Sequence, residues 1–211
     1  SHYLLARALE TQGMNEKDVT VVNTSDADLV SAFATPDVTA TVTWNPLLSE
    51  IMKQPNANKV FDSSQIPGEI LDLMVVKTDK LAAHPELGKA LTGAWYEIMG
   101  VMSGSDAQAK EARTLMAKAA GTDLADYDSQ LKATYMFYKP ADAVALTNNP
   151  QLKNTMQQVA EFSYQHGLLG ESAPNAGFVG VQTPAGVYGD ANNVKLRFDP
   201  TYMQMAANGK L

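Results

Sequence analysis

The sequence predicts an α/β protein in which an open sheet of parallel strands is joined by crossover helices and followed by a largely helical region. Two observations predict it. The first third alternates β-branched runs with helical patterns, and residues 79–170 are dominated by amphipathic stripes. Helix and strand signals that alternate at this spacing imply parallel strands linked by helices.

Taken in order, Leu4, Leu5, Ala8 and Leu9 fall on one helical face, with Gly13 as the stop. The β-branched run Val19-Thr20-Val21-Val22 places a short strand at 18–23. Ser25, with Asp28 three residues on, reads as the cap of a helix through Leu29, Val30 and Phe33. The stretch 38–44, Val-Thr-Ala-Thr-Val-Thr-Trp, alternates cleanly and is the best strand signal in the chain. Asn45-Pro46 opens the next helix, because a proline in the first turn loses no hydrogen bond. Two further short strands are expected at 59–62 and 71–76.

The middle of the chain changes period. Leu87, Ala90, Leu91, Ala94, Trp95, Ile98, Met99 and Met102 form one apolar stripe, which places Trp95 in the core. Ala109, Ala112, Leu115, Met116 and Ala119 form a second, ended by Gly121. Helices also start at Pro140 and Pro150, the latter carrying Leu152, Met156, Val159, Ala160 and Phe162 and closed by Gly167. The Gly-, Pro- and Ala-rich stretch 170–189 reads as an ordered loop. The α/β region lacks the strand expected before its first helix, so an N-terminal segment is expected to be missing from this chain.

Composition removes several function classes. Of 211 residues 45% are hydrophobic and 18% charged, the balance of an ordinary globular domain. The formal charge of −7 opposes sequence-independent nucleic-acid binding, which relies on Lys and Arg neutralising phosphates. It also opposes docking on anionic lipid. The absence of cysteine excludes disulfides, thiolate catalysis and Cys-ligated zinc. Neither a glycine-rich phosphate loop nor a Gly-Xaa-Ser-Xaa-Gly elbow is present. His2, His84 and His166 show no metal-ligand spacing, and no cofactor is expected.

Open parallel sheets bind ligands beyond the carboxyl ends of their strands, which points to Ser1-His2, Thr24-Ser25 and Trp44-Asn45-Pro46. Ser1 and His2 open a helix whose free N–H groups suit a polar or anionic ligand, or Ser1 is simply a helix cap. Trp44 offers a flat face for a planar or cationic ligand, or packs between elements. Asn45 offers both a donor and an acceptor. Glu69 and Asp72 suit a guanidinium or N–H-rich ligand, or a structural salt bridge.

The segments 1–10, 23–28 and 42–46, together with 61–76, 90–97 and 194–199, carry a family resemblance. The chain resembles the periplasmic substrate-binding proteins of nitrate/sulfonate/taurine-type ABC transporters, and within them the urea carboxylase-associated, urea- or guanidine-binding subfamily. The resemblance implies a type II periplasmic binding fold: two hinged lobes, each an open, mostly parallel sheet with flanking helices, the N-terminal part of lobe one absent. Residues 1–75 would be lobe two, and 76–211 the C-terminal, largely helical part of lobe one. It implies no enzyme activity but capture of a small nitrogenous solute by lobe closure and delivery to an ABC permease in the membrane. It also implies export to the periplasm, with the signal peptide lying outside this chain, and a monomer when intact. Trp44 would be the platform, Glu69 or Asp72 the carboxylate, Asn45 a polar contact, and Ser1 and His2 helix-terminus contacts. Two alternatives share the fold: a receptor for nitrate, taurine or an aliphatic sulfonate, and an enzyme resembling thiamine-precursor synthases. The lack of cysteine weighs against the enzyme.

Overall fold

Most α-helices of this chain begin without a side-chain cap bond. The computed structural model describes residues 1–211, which divide into two units, 1–67 with 113–135 and 68–112 with 136–211.

In the first unit, α1 (His2–Thr11) begins at Ser1, whose carbonyl accepts the Leu5 N–H at 3.0 Å. It buries Ala6 and Leu9. The chain leaves it through Gly13 at φ +69°, and the Met14 N–H returns to the Leu9 carbonyl. That left-handed exit satisfies carbonyls the helix would otherwise leave open. Helix α2 (Asp26–Phe33) carries Asp26 and Asp28 in its first turn, where the helix dipole favours negative charge. The Ser25 hydroxyl donates to the Asp28 carboxylate at 2.6 Å, so serine reaches the expected partner without bonding the helix backbone. Helix α3 (Leu47–Ile51) follows a cis Asn45–Pro46 peptide and buries Ile51. It packs against α2, and the Gln54 side-chain amide donates to the Val30 carbonyl beside that contact.

Helices α4 (Thr78–Ala83), α5 (Pro85–Met102) and the first part of α6 (Ala107–Ala119) belong to the second unit. The rest of α6 lies in the first unit, where the backbone turns at Gly121 into α7 (Leu124–Ala133). Arg113 Nε donates to Asp128 Oδ1 at 2.8 Å and ties α6 to α7.

The second unit continues with α8 (Pro140–Asn148), α9 (Gln151–Gln165), a three-stranded sheet and α10 (Thr201–Ala207). The strands are β1 (Gly180–Thr183), β2 (Gly186–Tyr188) and β3 (Val194–Arg197), ordered β2-β1-β3. β1 runs antiparallel to β2 and parallel to β3. Leu152 and Met156 of α9 lie on Val181 of β1, with Leu71, Val159, Leu196 and Phe198 around them. This is the buried core of the unit. Helix α10 packs on α8 and α5.

The chain is therefore a mixed α/β protein, with its strands elsewhere than expected. The stretches 18–23, 38–44, 59–62 and 71–76 form no ladder, so the mostly parallel sheet is not built from them. A strand exists only through hydrogen bonds to a neighbour. Alternation of residue type reports which side chains want burial, not whether a neighbour is present. The one sheet is mixed and forms within and just beyond the stretch expected to be loop. Trp95 is a second correction: it shares a helical face with Gly88, Met99 and Met102, which are buried, yet is 47% exposed. The stripe on α5 is real, but its midpoint is uncovered.

Candidate functional site

The structure distributes the expected contact residues between the two units. Ser1, His2, Trp44 and Asn45 lie in the first, and Glu69 and Asp72 in the second. Ser1 is exposed and caps α1 through its carbonyl, making no side-chain cap bond. His2 is paired through Nε2 with the carboxylate of Glu16, at the start of a 3-10 turn (Glu16–Asp18). Trp44 is 53% exposed, so its ring keeps an open face. Asn45 is half-buried, and its Oδ1 accepts the Ser49 hydroxyl at 3.0 Å. Glu69 is half-buried and Asp72 exposed. The two remaining histidines stay with their helix ends: His84 meets Glu86 at 3.0 Å, and His166 leans on Phe162 with ring centroids 4.1 Å apart.

Beside Asn45 the first unit holds a pocket of about 350 Å³ between α3 and α7, walled by Pro46, Ser49, Glu50, Lys53, Asp126 and Gln130. Its far wall is the Gly121–Asp123 turn. That turn exists because Gly121 takes φ +74°, a left-handed conformation that ends α6 cheaply only at glycine. Asp123 then caps α7 by accepting the Asp126 N–H at 2.9 Å. The Lys53 ammonium bonds the Asp126 carboxylate across the pocket, and Thr122 also donates to that carboxylate.

The electrostatics follow from that pair. The hydrogen bond that the Lys53 ammonium donates to Asp126 raises the ammonium above its ordinary range and lowers the Asp126 carboxyl. Both groups stay charged near neutrality. Three carboxylates, Glu50, Asp123 and Asp126, face one ammonium, so the lining carries excess negative charge. The Gln130 amide nitrogen is shut off from solvent and has no partner, as is the Thr43 hydroxyl next to Trp44. Buried unpaired donors are costly and uncommon in folded proteins. Sequence reasoning reached Asn45 and the proline beside it. It missed Lys53, Asp126 and Gln130, whose only signal is their meeting from segments far apart in sequence.

Nothing in this arrangement is a nucleophile held against a base. No helix is long and apolar enough to cross a membrane.

Comparison with known proteins gives the relationship. Residues 1–120 match the model of the NMT1-like family. The chain is also 26% identical over 174 residues to the protein of Escherichia coli (strain K12) named "Putative aliphatic sulfonates-binding protein". That alignment covers 80% of this chain and 50% of the relative, so the chain spans about half the length of the curated protein it matches. No solved structure matches. With more than half of its residues inside the family match, the chain belongs to the NMT1-like family.

Proposed function

We propose that the protein is a solute-binding receptor of an ABC importer, which captures a small polar nitrogenous compound of the urea or guanidine class and hands it to a membrane permease. The observation that carries the receptor reading is the alignment along 80% of the chain to a protein whose name describes it as sulfonate-binding. In the intact protein residues 1–75 belong to one lobe and 76–211 to the other, and closure of the two on the solute removes it from water. The receptor works in the periplasm, as a monomer, and catalyses no reaction. Trp44 supplies the platform, Glu69 or Asp72 the carboxylate, Asn45 a polar contact, and Ser1 and His2 the helix-terminus contacts.

The ligand class rests on charge. A net charge of −7 and an exposed indole face suit a cation or neutral N–H donor better than an anion. The relative's name favours a second reading, a receptor for an aliphatic sulfonate, in which the α1 terminus at Ser1 and His2 holds the anion.

Thermal unfolding in the presence of urea, methylguanidine, taurine and nitrate separates the two. Specific binding at 100 times Kd adds about 2.7 kcal/mol of stability, an easily measured rise in Tm. A rise with methylguanidine or urea at low millimolar concentration supports the first reading. A rise with taurine alone replaces it with the second, and no rise with any of the four removes both.

A further inference from the structure

The last turn of α10 carries a reactive dipeptide that the receptor reading leaves unused. Asn208–Gly209 is the one place in the chain where glycine follows asparagine. Asparagine is thermolabile, because the backbone nitrogen of the next residue can attack its side-chain carbonyl carbon. Glycine alone lacks the Cβ that hinders this approach, and it reaches the required backbone angles at no steric cost. The surroundings leave the attack open. Asn208 and Gly209 are both exposed, and nothing lies within 4 Å of the position a Cβ on Gly209 would take. The Asn208 side chain is held by a long bond, its Oδ1 accepting the Gln204 amide at 3.5 Å. The backbone supplies the restraint. The Gly209 N–H donates to the Ala206 carbonyl at 3.1 Å, and the Lys210 N–H to that of Met205 at 2.9 Å. Both bonds belong to a helix end, where local opening costs least.

We propose that Asn208 is a site of spontaneous covalent modification, the first asparagine of the chain to deamidate. The Gly209 nitrogen gives its proton to hydroxide and bonds to Asn208 Cγ. The bond from Cγ to the side-chain nitrogen breaks, and that nitrogen takes up a proton and leaves as ammonia. Water then opens the five-membered imide at either carbonyl, giving aspartate or isoaspartate. One water enters, one ammonia leaves, and nothing is oxidised or reduced. Both products act on α10. A carboxylate at the C-terminal end of a helix opposes the dipole. Isoaspartate also adds a methylene to the main chain, which displaces the Lys210 N–H from the Met205 carbonyl. The same insertion displaces Leu211, whose Cδ1 lies 3.8 Å from where a Cβ on Gly93 of α5 would stand. Deamidation therefore loosens the end of a helix that packs on both α5 and α8.

The test is incubation of the full chain at 37 °C at pH 6 and at pH 8, followed by peptide mass mapping and by enzymatic methylation of isoaspartate. Conversion of Asn208 is expected to precede that of every other asparagine and to run at least tenfold faster at pH 8, since hydroxide sets the rate. Gly209→Ala should slow it at least tenfold. Alanine at φ +64° strains the turn and loosens it, so a slower reaction there reports ring closure and not mobility. Leu211→Ser, which releases the end of the chain from α5, should speed the reaction with the dipeptide intact. In the aged sample the Lys210 N–H is expected to exchange with solvent faster than in Asn208→Asp, which carries the charge without the added methylene. Earlier conversion of another asparagine, equal rates at the two pH values, or a Gly209→Ala rate equal to the parent's overturns the site. A Lys210 N–H that exchanges in the aged sample as it does in the fresh one overturns the effect on α10.

Discussion

Asp62 shows how one side chain in this structure carries a pH-dependent share of stability. Its carboxylate bonds the Lys59 ammonium, and it accepts the Ser64 hydroxyl and, at 2.9 Å, the Ser64 N–H. The Lys59 bond first and the Ser64 hydroxyl next pull its pKa from 3.8 down to about 2. A carboxyl whose folded pKa lies below its unfolded value stabilises the fold above the unfolded value. That stability is lost as pH falls through the folded pKa. Because the pair is partly solvated, screening reduces the contribution to about 1 kcal/mol. Asp62→Ala should therefore lower unfolding free energy by about that amount at pH 7, with the loss shrinking between pH 4 and pH 2. Urea denaturation at pH 7 and at pH 2 measures both. An equal loss at the two pH values would show that Asp62 acts by packing and not by charge. At this scale the sequence was informative wherever a role is local. The expected pairing of Ser25 with Asp28 is present, and Gly13, Gly121 and Gly167 all take left-handed φ at helix ends. Gln130 and Lys53 were illegible because their significance lies in neighbours more than 70 residues distant, as the Lys53–Asp126 separation of 73 shows.

Helices are the best-read elements here, since a 3.6-residue stripe and a stop signal are both contained in the element itself. What a stripe does not say is which part of it will be covered. Helix α5 shows this through two glycines. A Cβ on Gly88 would lie 2.4 Å from Cζ of Tyr202 on α10, so the close approach of the two helices requires that glycine. Nothing lies within 4 Å of a Cβ on Gly100 in the same helix. Gly88→Ala should cost about 1–2 kcal/mol, the overpacking cost less the gain in helix propensity. Gly100→Ala should stabilise by about 0.5–1 kcal/mol, because it restricts the unfolded chain and meets no obstacle. Thermal denaturation of the two variants side by side decides it, and a stabilising Gly88→Ala would mean that Tyr202 does not rest on α5. The sheet was misplaced for the converse reason. A Cβ on Gly180 would stand 2.2 Å from the Asp190 carbonyl oxygen, and one on Gly189 2.5 Å from that of Val179. Glycines that permit close backbone packing next to a strand have the same composition as glycines in a loop. Short strands of three or four residues add too little alternation to overrule that appearance.

Over the whole chain the stretches 18–23, 59–62 and 71–76 pose the sharpest question, since each leaves a valine uncovered. Val60 is 90% exposed, Val22 75% and Val75 71%. None of the stretches takes part in a ladder. Extended, β-branched backbone with open N–H and C=O groups is a template for pairing with another strand. Natural proteins ordinarily blunt such edges with charge or cover them. The sequence recorded the demand for burial correctly; it did not record the supplier. Two arrangements make opposite predictions. If these residues stand in water, Val22→Lys with Val60→Lys removes apolar surface without touching the core. Stability then stays within about 0.5 kcal/mol of the parent, and self-association at high protein concentration falls, as static light scattering reports. If the stretches pair in solution, two lysines enter a buried sheet face, and the cooperative unfolding transition moves down sharply or disappears. Thermal melts and light scattering on the same samples distinguish these outcomes. The second result would also bear on function, because strand tips at Trp44 that end a real sheet are where an open α/β architecture binds its ligand.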